Sequence, residues 1–239
     1  VLRQGRVEAT RDTADTSKRE LARLMVGREV LFRTEKVDTE TGETILRVDN
    51  VHALSDKGLP ALKGLSLTVA RGEIVAIAGV AGNGQRELVE TLVGLRPATQ
   101  GRVEVDGKEV TRKPPRDIIE QGVCYIPGER LTGLVPEMSV AENLILRSYC
   151  AQEFNRGVFF DQRAIAEHAD SLIAEYNVAT PDRETPLKLL SGGNIQKVML
   201  ARETAQSPTL LIAAHPTSGL DIGATEYVWQ QLLEERERG

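Results

Sequence analysis

Hydrophobic positions along this chain change their spacing several times, and each change marks a different element. Val1 to Thr10 has the pattern of a strand pair or strand end already in progress. Ser17 and Glu20 then stand at the Ser-x-x-Glu spacing of a capping box, followed by Leu21, Leu24 and Met25 on one helical face and a stop at Gly27. Such a face must find its partner outside its own segment. From Arg33 to Glu43 the composition turns polar and ends in Thr-Gly-Glu, which reads as a linker or surface loop. A new domain is expected from about Ile45. Leu46, Val48 and Val51 open an extended segment, and Leu62 to Val69 alternates as a half-buried strand does.

Glu73 to Ala78 is a short apolar run next to glycines and is expected to form a strand. It leads through a Gly-rich turn into helical spacing at Glu87, Leu88, Leu92 and Val93, the strand, loop and helix order of a phosphate-binding unit. Gly101 to Val110 reads as a hairpin turning at Asp106-Gly107. Helical spacing returns at Val140 to Leu146, Asp161 to Tyr176 and Asn194 to Ala205, an α-rich block ahead of an apolar strand at Thr209 to Ala213. A final helix is expected from Ala224 to Arg238.

Composition narrows the classes of function. The 239 residues, 41% hydrophobic and 27% charged, suffice for a buried core. No apolar run approaches the roughly 18 residues that cross a bilayer, so any membrane role is expected to be peripheral. A net charge of −5 argues against nucleic acid as a partner, because phosphate backbones demand a basic face. Cys124 and Cys150 form no CxxC pattern and His52, His168 and His215 are scattered, so neither a disulfide framework nor a structural metal is expected, and a reducing cytoplasm is the default compartment.

The candidate chemistry begins at Gly79-Val80-Ala81-Gly82-Asn83-Gly84-Gln85-Arg86. In the phosphate-binding pattern G-x-x-x-x-G-K-[ST], backbone N–H groups cradle phosphates, the lysine reaches the outer ones and the hydroxyl holds magnesium. The glycines are present, but Gln85 fills the lysine slot and Arg86 the hydroxyl slot. Arg86 is expected to attract an anion, while Glu87 at the same helix start opposes one. Strand-to-helix turns also use glycine for conformational reasons alone, and at this point both readings stand.

Leu190-Ser191-Gly192-Gly193-Asn194-Ile195-Gln196-Lys197, at the start of a helix, is more specific. Ser191 is expected to cap, while Gly192 and Gly193 let bare backbone donors approach a phosphate at a positive helix end. Leu210-Leu211-Ile212-Ala213-Ala214-His215-Pro216-Thr217-Ser218-Gly219-Leu220-Asp221 follows. The first segment resembles the LSGGQ signature of ABC ATPases, in the form of the sugar-importer branch. The second resembles that family's Walker B strand and D-loop, with Ala214 and His215 where the family has Asp and Glu. Tyr125-Ile126-Pro127-Gly128-Glu129-Arg130 falls at the Q-loop, with Gly128 where the family has Gln or Glu. No aromatic residue lies between Ala53 and Pro60 to stack on adenine.

The resemblance, strongest to nucleoside-type importers, implies an α/β fold: a P-loop NTPase core sheet with an antiparallel β subdomain and an inserted α-helical subdomain, truncated at the C-terminus. It implies that residues 1–28 are the tail of an upstream nucleotide-binding domain, 29–44 a linker, and 45–239 most of a second such domain. It also implies an ATP-binding, energy-coupling role in a nucleoside or sugar importer, at the cytoplasmic face of the membrane, with permease subunits and the upstream domain as partners. Nucleotide contacts then fall to Gly79, Gly82, Asn83, Gly84, Gln85 and Arg86, the signature offered in trans to Ser191, Gly192, Gly193 and Gln196, the Q-loop to Gly128 and Glu129, and the D-loop to Asp221. ATP and magnesium belong to a composite site of the full protein. With Ala214 and His215 in place of carboxylates, no catalytic residue and no magnesium are expected in this chain's own pocket, and the chain by itself is expected to be inactive or nearly so. The alternative is a permease-docking or regulatory module with no nucleotide function of its own.

Overall fold

The computed structural model describes residues 1–3, 5–29, 40–129 and 132–239. A short hairpin, β1 (Leu2–Arg3) against β2 (Arg6–Val7), precedes α1 (Lys18–Val26). The helix starts and stops for local reasons. Ser17 Oγ accepts the Glu20 N–H at 3.1 Å, and Gly27, at φ 88°, donates its N–H to the Arg23 carbonyl at 2.7 Å. Its partner lies far along the chain, at the helix α7 (Ile222–Arg238): Arg28 pairs with Glu226 at 2.6 Å, and Val26 sits against Gly223. Of the face read from the sequence, Met25 stays exposed and Ala22 is the residue buried. Most of the expected linker, residues 30–39, lies outside the described residues; Glu40 to Glu43 are exposed.

An antiparallel sheet follows, in the order β4-β3-β5-β6, from β3 (Thr44–Leu54), β4 (Pro60–Ala70), β5 (Gln100–Val105) and β6 (Lys108–Glu109). On β3 the buried set changes parity: Leu46 and Val48 face the core, and so do Val51 and Ala53. A bulge between Val48 and Val51, with Asn50 at φ 46°, absorbs the extra residue. Gly101 lies so close beneath it that a Cβ there would stand 2.3 Å from the Asn50 carbonyl oxygen. The hairpin turns where the sequence places it, with Asp106 at φ 50° and Gly107 at φ 69°. Between β4 and β5 comes α2 (Gln85–Leu92), whose Leu88 and Leu92 pack on the sheet.

One expected element is absent. Residues 73–80 form no strand: a strand exists only through a neighbour that satisfies its N–H and C=O groups, and among the described residues no strand pairs with this run. Its Ile74, Val75, Ile77 and Val80 are exposed accordingly.

Two elements too short to read from periodicity come next, α3 (Pro115–Glu120) and β7 (Val123–Ile126). Further on, β7 pairs in parallel with β10 (Leu210–Ala213), with Val123 opposite Leu210 and Ile126 opposite Ala213. Between them lies the α-rich block: α4 (Val140–Ile145), a small hairpin of β8 (Asn155–Arg156) and β9 (Phe159–Phe160), α5 (Gln162–Glu175) and α6 (Gly192–Thr204). Two hydrophobic clusters result. One gathers the β3–β5 sheet, α2, Val123 and Leu210; the other gathers α4, α5, α6, Ile126 and Val228. The fold is thus the mixed α/β arrangement the residues imply, with an antiparallel unit, a parallel pair and an inserted helical block.

Candidate functional site

The glycine loop ends on α2, with Gly82 at φ 89° and Gly84 at φ 99° as the residue before its first turn. Both conformations suit glycine and turn backbone toward the helix start. The loop is filled from within. The Gln85 amide donates to the Val80 carbonyl at 3.2 Å and lies over Gly79, where a Cβ would be 2.2 Å from its Nε2. Asn83 is exposed at the rim.

Arg86 is committed as well. Its Nε donates to Glu90 at 2.6 Å and its Nη1 pairs with Asp56 at 3.2 Å, while Arg96 bridges the same two carboxylates at 2.5 Å and 2.6 Å. Arg96 and Arg86 hold the Asp56 carboxyl below the usual carboxylate range, the hydrogen bond from Arg96 counting most. Arg86, which the sequence offers as an anion contact, thus shares two carboxylates with Arg96. Asp56, Glu90 and Arg96 were not read from the sequence as site residues; the spacing of Arg86 and Glu90 as i and i+4 was the one signal available.

The end of β10 meets the segment after β7. Ala214 donates its N–H to the Ile126 carbonyl at 2.9 Å, and a Cβ on Gly128 would lie 3.3 Å from the Ala214 carbonyl oxygen and 3.4 Å from His215 Cδ2. Glycine at 128 permits that approach. Glu129 is exposed and accepts from Thr132 Oγ1 at 3.4 Å; Arg130 lies outside the described residues. His215 is exposed at φ 48°, and among the described residues its ring has no hydrogen-bonded carboxylate to orient it as a base. At the two slots where the family holds magnesium the side chains bring no oxygen ligand, since Ala214 ends in a methyl group and Arg86 carries no hydroxyl.

The second helix start is built differently. Ser191 occupies the N-cap position of α6, but its Oγ accepts the Asn194 side-chain amide at 3.0 Å instead of a helix N–H, which corrects the expected capping bond. Asn194 Oδ1 in turn accepts the Ala179 N–H at 2.9 Å. The first-turn N–H groups of Gly192, Gly193 and Asn194 have no partner within the helix, as in any α-helix, and Ser191 at their tip is exposed. Gly193 packs against α7, since its Cβ would stand 3.3 Å from that of Ala224, and Asp221 caps α7 by accepting the Ala224 N–H at 2.8 Å. Asp221 is therefore placed beside the signature turn. Gln196, expected in the same face, is 2% exposed and its Nε2 has no hydrogen-bond partner among the described residues.

A glycine turn feeding a helix start that shares a core with a parallel strand pair, together with a helical insertion carrying a second glycine-lined start, is the α/β arrangement that the P-loop resemblance implies, without the strand expected at 73–78. Residues 62–218 match the ABC transporter family model, and the chain belongs to that family. It is 44% identical, over its whole length, to the guanosine import ATP-binding protein NupO of Bacillus subtilis, and 40% identical to the nucleoside import ATP-binding protein NupA of Lactococcus lactis, spanning 47% of each. It is 41% identical to the glucose import ATP-binding protein TsgD13 of Haloferax volcanii and spans 44% of it. The chain thus covers about half the length of these relatives. The same fold occurs in the ATP-binding cassette MJ1267 in its ADP conformation, at TM-score 0.67 and 24% identity, covering 82% of this chain and 78% of that one. It occurs again in the cassette MJ0796 bound to ADP and phosphate, at TM-score 0.68 and 22% identity, covering 81% and 84%.

Proposed function

We propose that this chain is part of the ATP-binding, energy-coupling component of an importer of nucleosides or sugars, and that it serves a partner domain's ATP site and not its own. The observation that carries this reading is the contrast between two helix starts. At α2 the loop holds its own Gln85 amide and Arg86 is paired off, whereas at α6 an exposed serine and two glycines stand before free backbone donors. Each charge-assisted bond lost from a nucleotide pocket removes roughly 1.5 to 3 kcal/mol. Loss of two, from the lysine and magnesium-ligand slots, weakens binding by some two to four powers of ten at about 1.4 kcal/mol per tenfold. Ser191, Gly192 and Gly193 keep what is needed to grip a triphosphate presented by an upstream domain of the same polypeptide, with magnesium held at that composite site. Closure of the pair then drives membrane permease subunits from the cytoplasmic side. No helix among the described residues is long and apolar enough to cross a membrane.

In the assembled ATPase, Ser191→Arg is expected to abolish turnover, while Gln85→Ala and His215→Ala change it less than about threefold, an effect below 1 kcal/mol. The reverse ranking would overturn the assignment.

A second reading, a docking module for a permease with no nucleotide function, is favoured by the β8–β9 hairpin, where Val158 is 91% and Phe159 75% exposed. Val158→Ser with Phe159→Ser separates the two: under this second reading permease assembly fails while Ser191→Arg is silent.

A further inference from the structure

The far end of α6 carries a polar cluster that phosphate gripping does not use. Arg202 and Glu203 are 8% and 4% exposed, and the side chain of Arg147, in the turn after α4, is 9% exposed. Both oxygens of the Glu203 carboxylate are taken. Oε2 pairs with Arg147 and accepts the Tyr125 N–H at 3.1 Å; Oε1 accepts Arg202 Nε at 2.9 Å and pairs with its Nη2 at 2.8 Å. The guanidinium groups also reach backbone, Arg147 Nη2 to the Val123 carbonyl at 2.5 Å and Arg202 Nη1 to the Gly133 carbonyl at 2.6 Å. One buried carboxylate therefore ties α6 to β7 at two points, to the turn after α4 and to the segment beyond Gly128.

Stability alone is a weak reason for such a cluster, because well-packed apolar side chains of the same volume often serve as well or better than buried ion pairs. What they lack is direction: a forked guanidinium and a carboxylate fix angles as well as distances. At 1.5 Å per residue, Glu203 lies about 17 Å along the helix from Gly192, so a tilt of a few degrees at the cluster moves the signature turn by about 1 Å. A misplacement of that size is enough to degrade a preorganised site.

From this geometry we infer that Arg147, Glu203 and Arg202 are positioning residues that set the axis of α6 against β7 and so aim Ser191, Gly192 and Gly193 at the nucleotide of the partner domain. The inference rests on the trans role of the signature argued above. The test measures KM for ATP, kcat and thermal midpoint of the assembled ATPase for Glu203→Gln, for the apolar triple variant Arg147→Met/Arg202→Met/Glu203→Leu, and for Ser191→Arg. Glu203→Gln is expected to raise KM about tenfold. The triple variant is expected to keep the wild-type thermal midpoint yet show the same raised KM, a separation that a merely structural cluster cannot produce. A triple variant with both midpoint and KM at wild-type values overturns the inference. Should the triple variant fail to fold, Glu203→Asp decides: the shortened carboxylate is expected to raise KM at an unchanged midpoint, and an unchanged KM overturns the inference. If Ser191→Arg leaves turnover intact, the trans reading itself is the part that fails.

Discussion

Cys124 and Cys150 differ only in what surrounds their sulfur. Burial pushes the Cys124 thiol up to about 12, whereas Cys150 is exposed. Alkylation of the native chain at pH 8 followed by mass spectrometry is therefore expected to label Cys150 and spare Cys124, with both labelled in denaturant; rapid native labelling of Cys124 would contradict its placement. Gly101 is a second position where one atom decides, because its φ of 88° and the nearby Asn50 carbonyl leave no room for a Cβ. Gly101→Ala is expected to cost about 1 to 3 kcal/mol, seen as a lowered midpoint in urea. At this scale identity was legible and position was not. The residue types in the lysine, hydroxyl and carboxylate slots, Gln85, Arg86, Ala214 and His215, stand in the sequence. That the Gln85 amide folds back over Gly79 within its own loop, that Arg86 pairs with Asp56 thirty residues earlier, and that Gln196 turns inward are set by the folded arrangement and not by residue type.

Among elements, α1 begins where Ser17 and Glu20 predict it. Ser139 and Glu142 close a full capping box on α4, with bonds of 3.1 Å and 2.7 Å, so Ser139→Ala is expected to cost about 1 kcal/mol in thermal unfolding. The turn between β3 and β4 is joined to α2 by the Asp56, Arg86, Glu90 and Arg96 ion pairs. The folded Asp56 carboxyl titrates below its unfolded value, so its contribution is complete above the ordinary carboxylate range and is lost as pH falls through the folded value. Amide exchange at Ser55 to Leu59, corrected for intrinsic rate, is expected to quicken between pH 5 and pH 3, and Asp56→Asn to remove that pH dependence; a turn equally protected at both values would refute the link. Because Asp56 and Arg86 are exposed, added salt should weaken the same tie. The run from Glu73 to Ala78 shows the limit of reading elements singly. Its composition suits a strand, but a strand is a property of a pair.

At the scale of the molecule, the two candidate helix starts rest on separate hydrophobic clusters, α2 on the β3–β5 sheet and α6 within the helical block. Under the proposed function, nucleotide added to this chain alone finds an α2 loop that already holds the Gln85 amide and an α6 start without the pocket it is proposed to complete. Ligand at or below its Kd stabilises by no more than about 0.4 kcal/mol, so millimolar ATP with magnesium is expected to move the thermal midpoint by about 1 °C or less. A shift of several degrees would mean that the Gln85 loop opens and binds. Membership of the ABC transporter family followed from short contiguous signals, the glycine loop, Leu190 to Lys197 and the Pro216 to Asp221 segment, whose spacing survives in one dimension. The sequence by itself determined the order of the longer helices, the Ser17 cap, the Asp106-Gly107 turn, and the residue types that fill the loop, because these depend on residues within a turn or two of one another. Only the tertiary structure decided which donors are already spent, which glycines are obligatory, and how Glu203 fastens α6 to β7. The decisive contacts, such as Arg86 to Asp56 and Glu203 to the Tyr125 N–H, join segments tens of residues apart, and no local pattern encodes them.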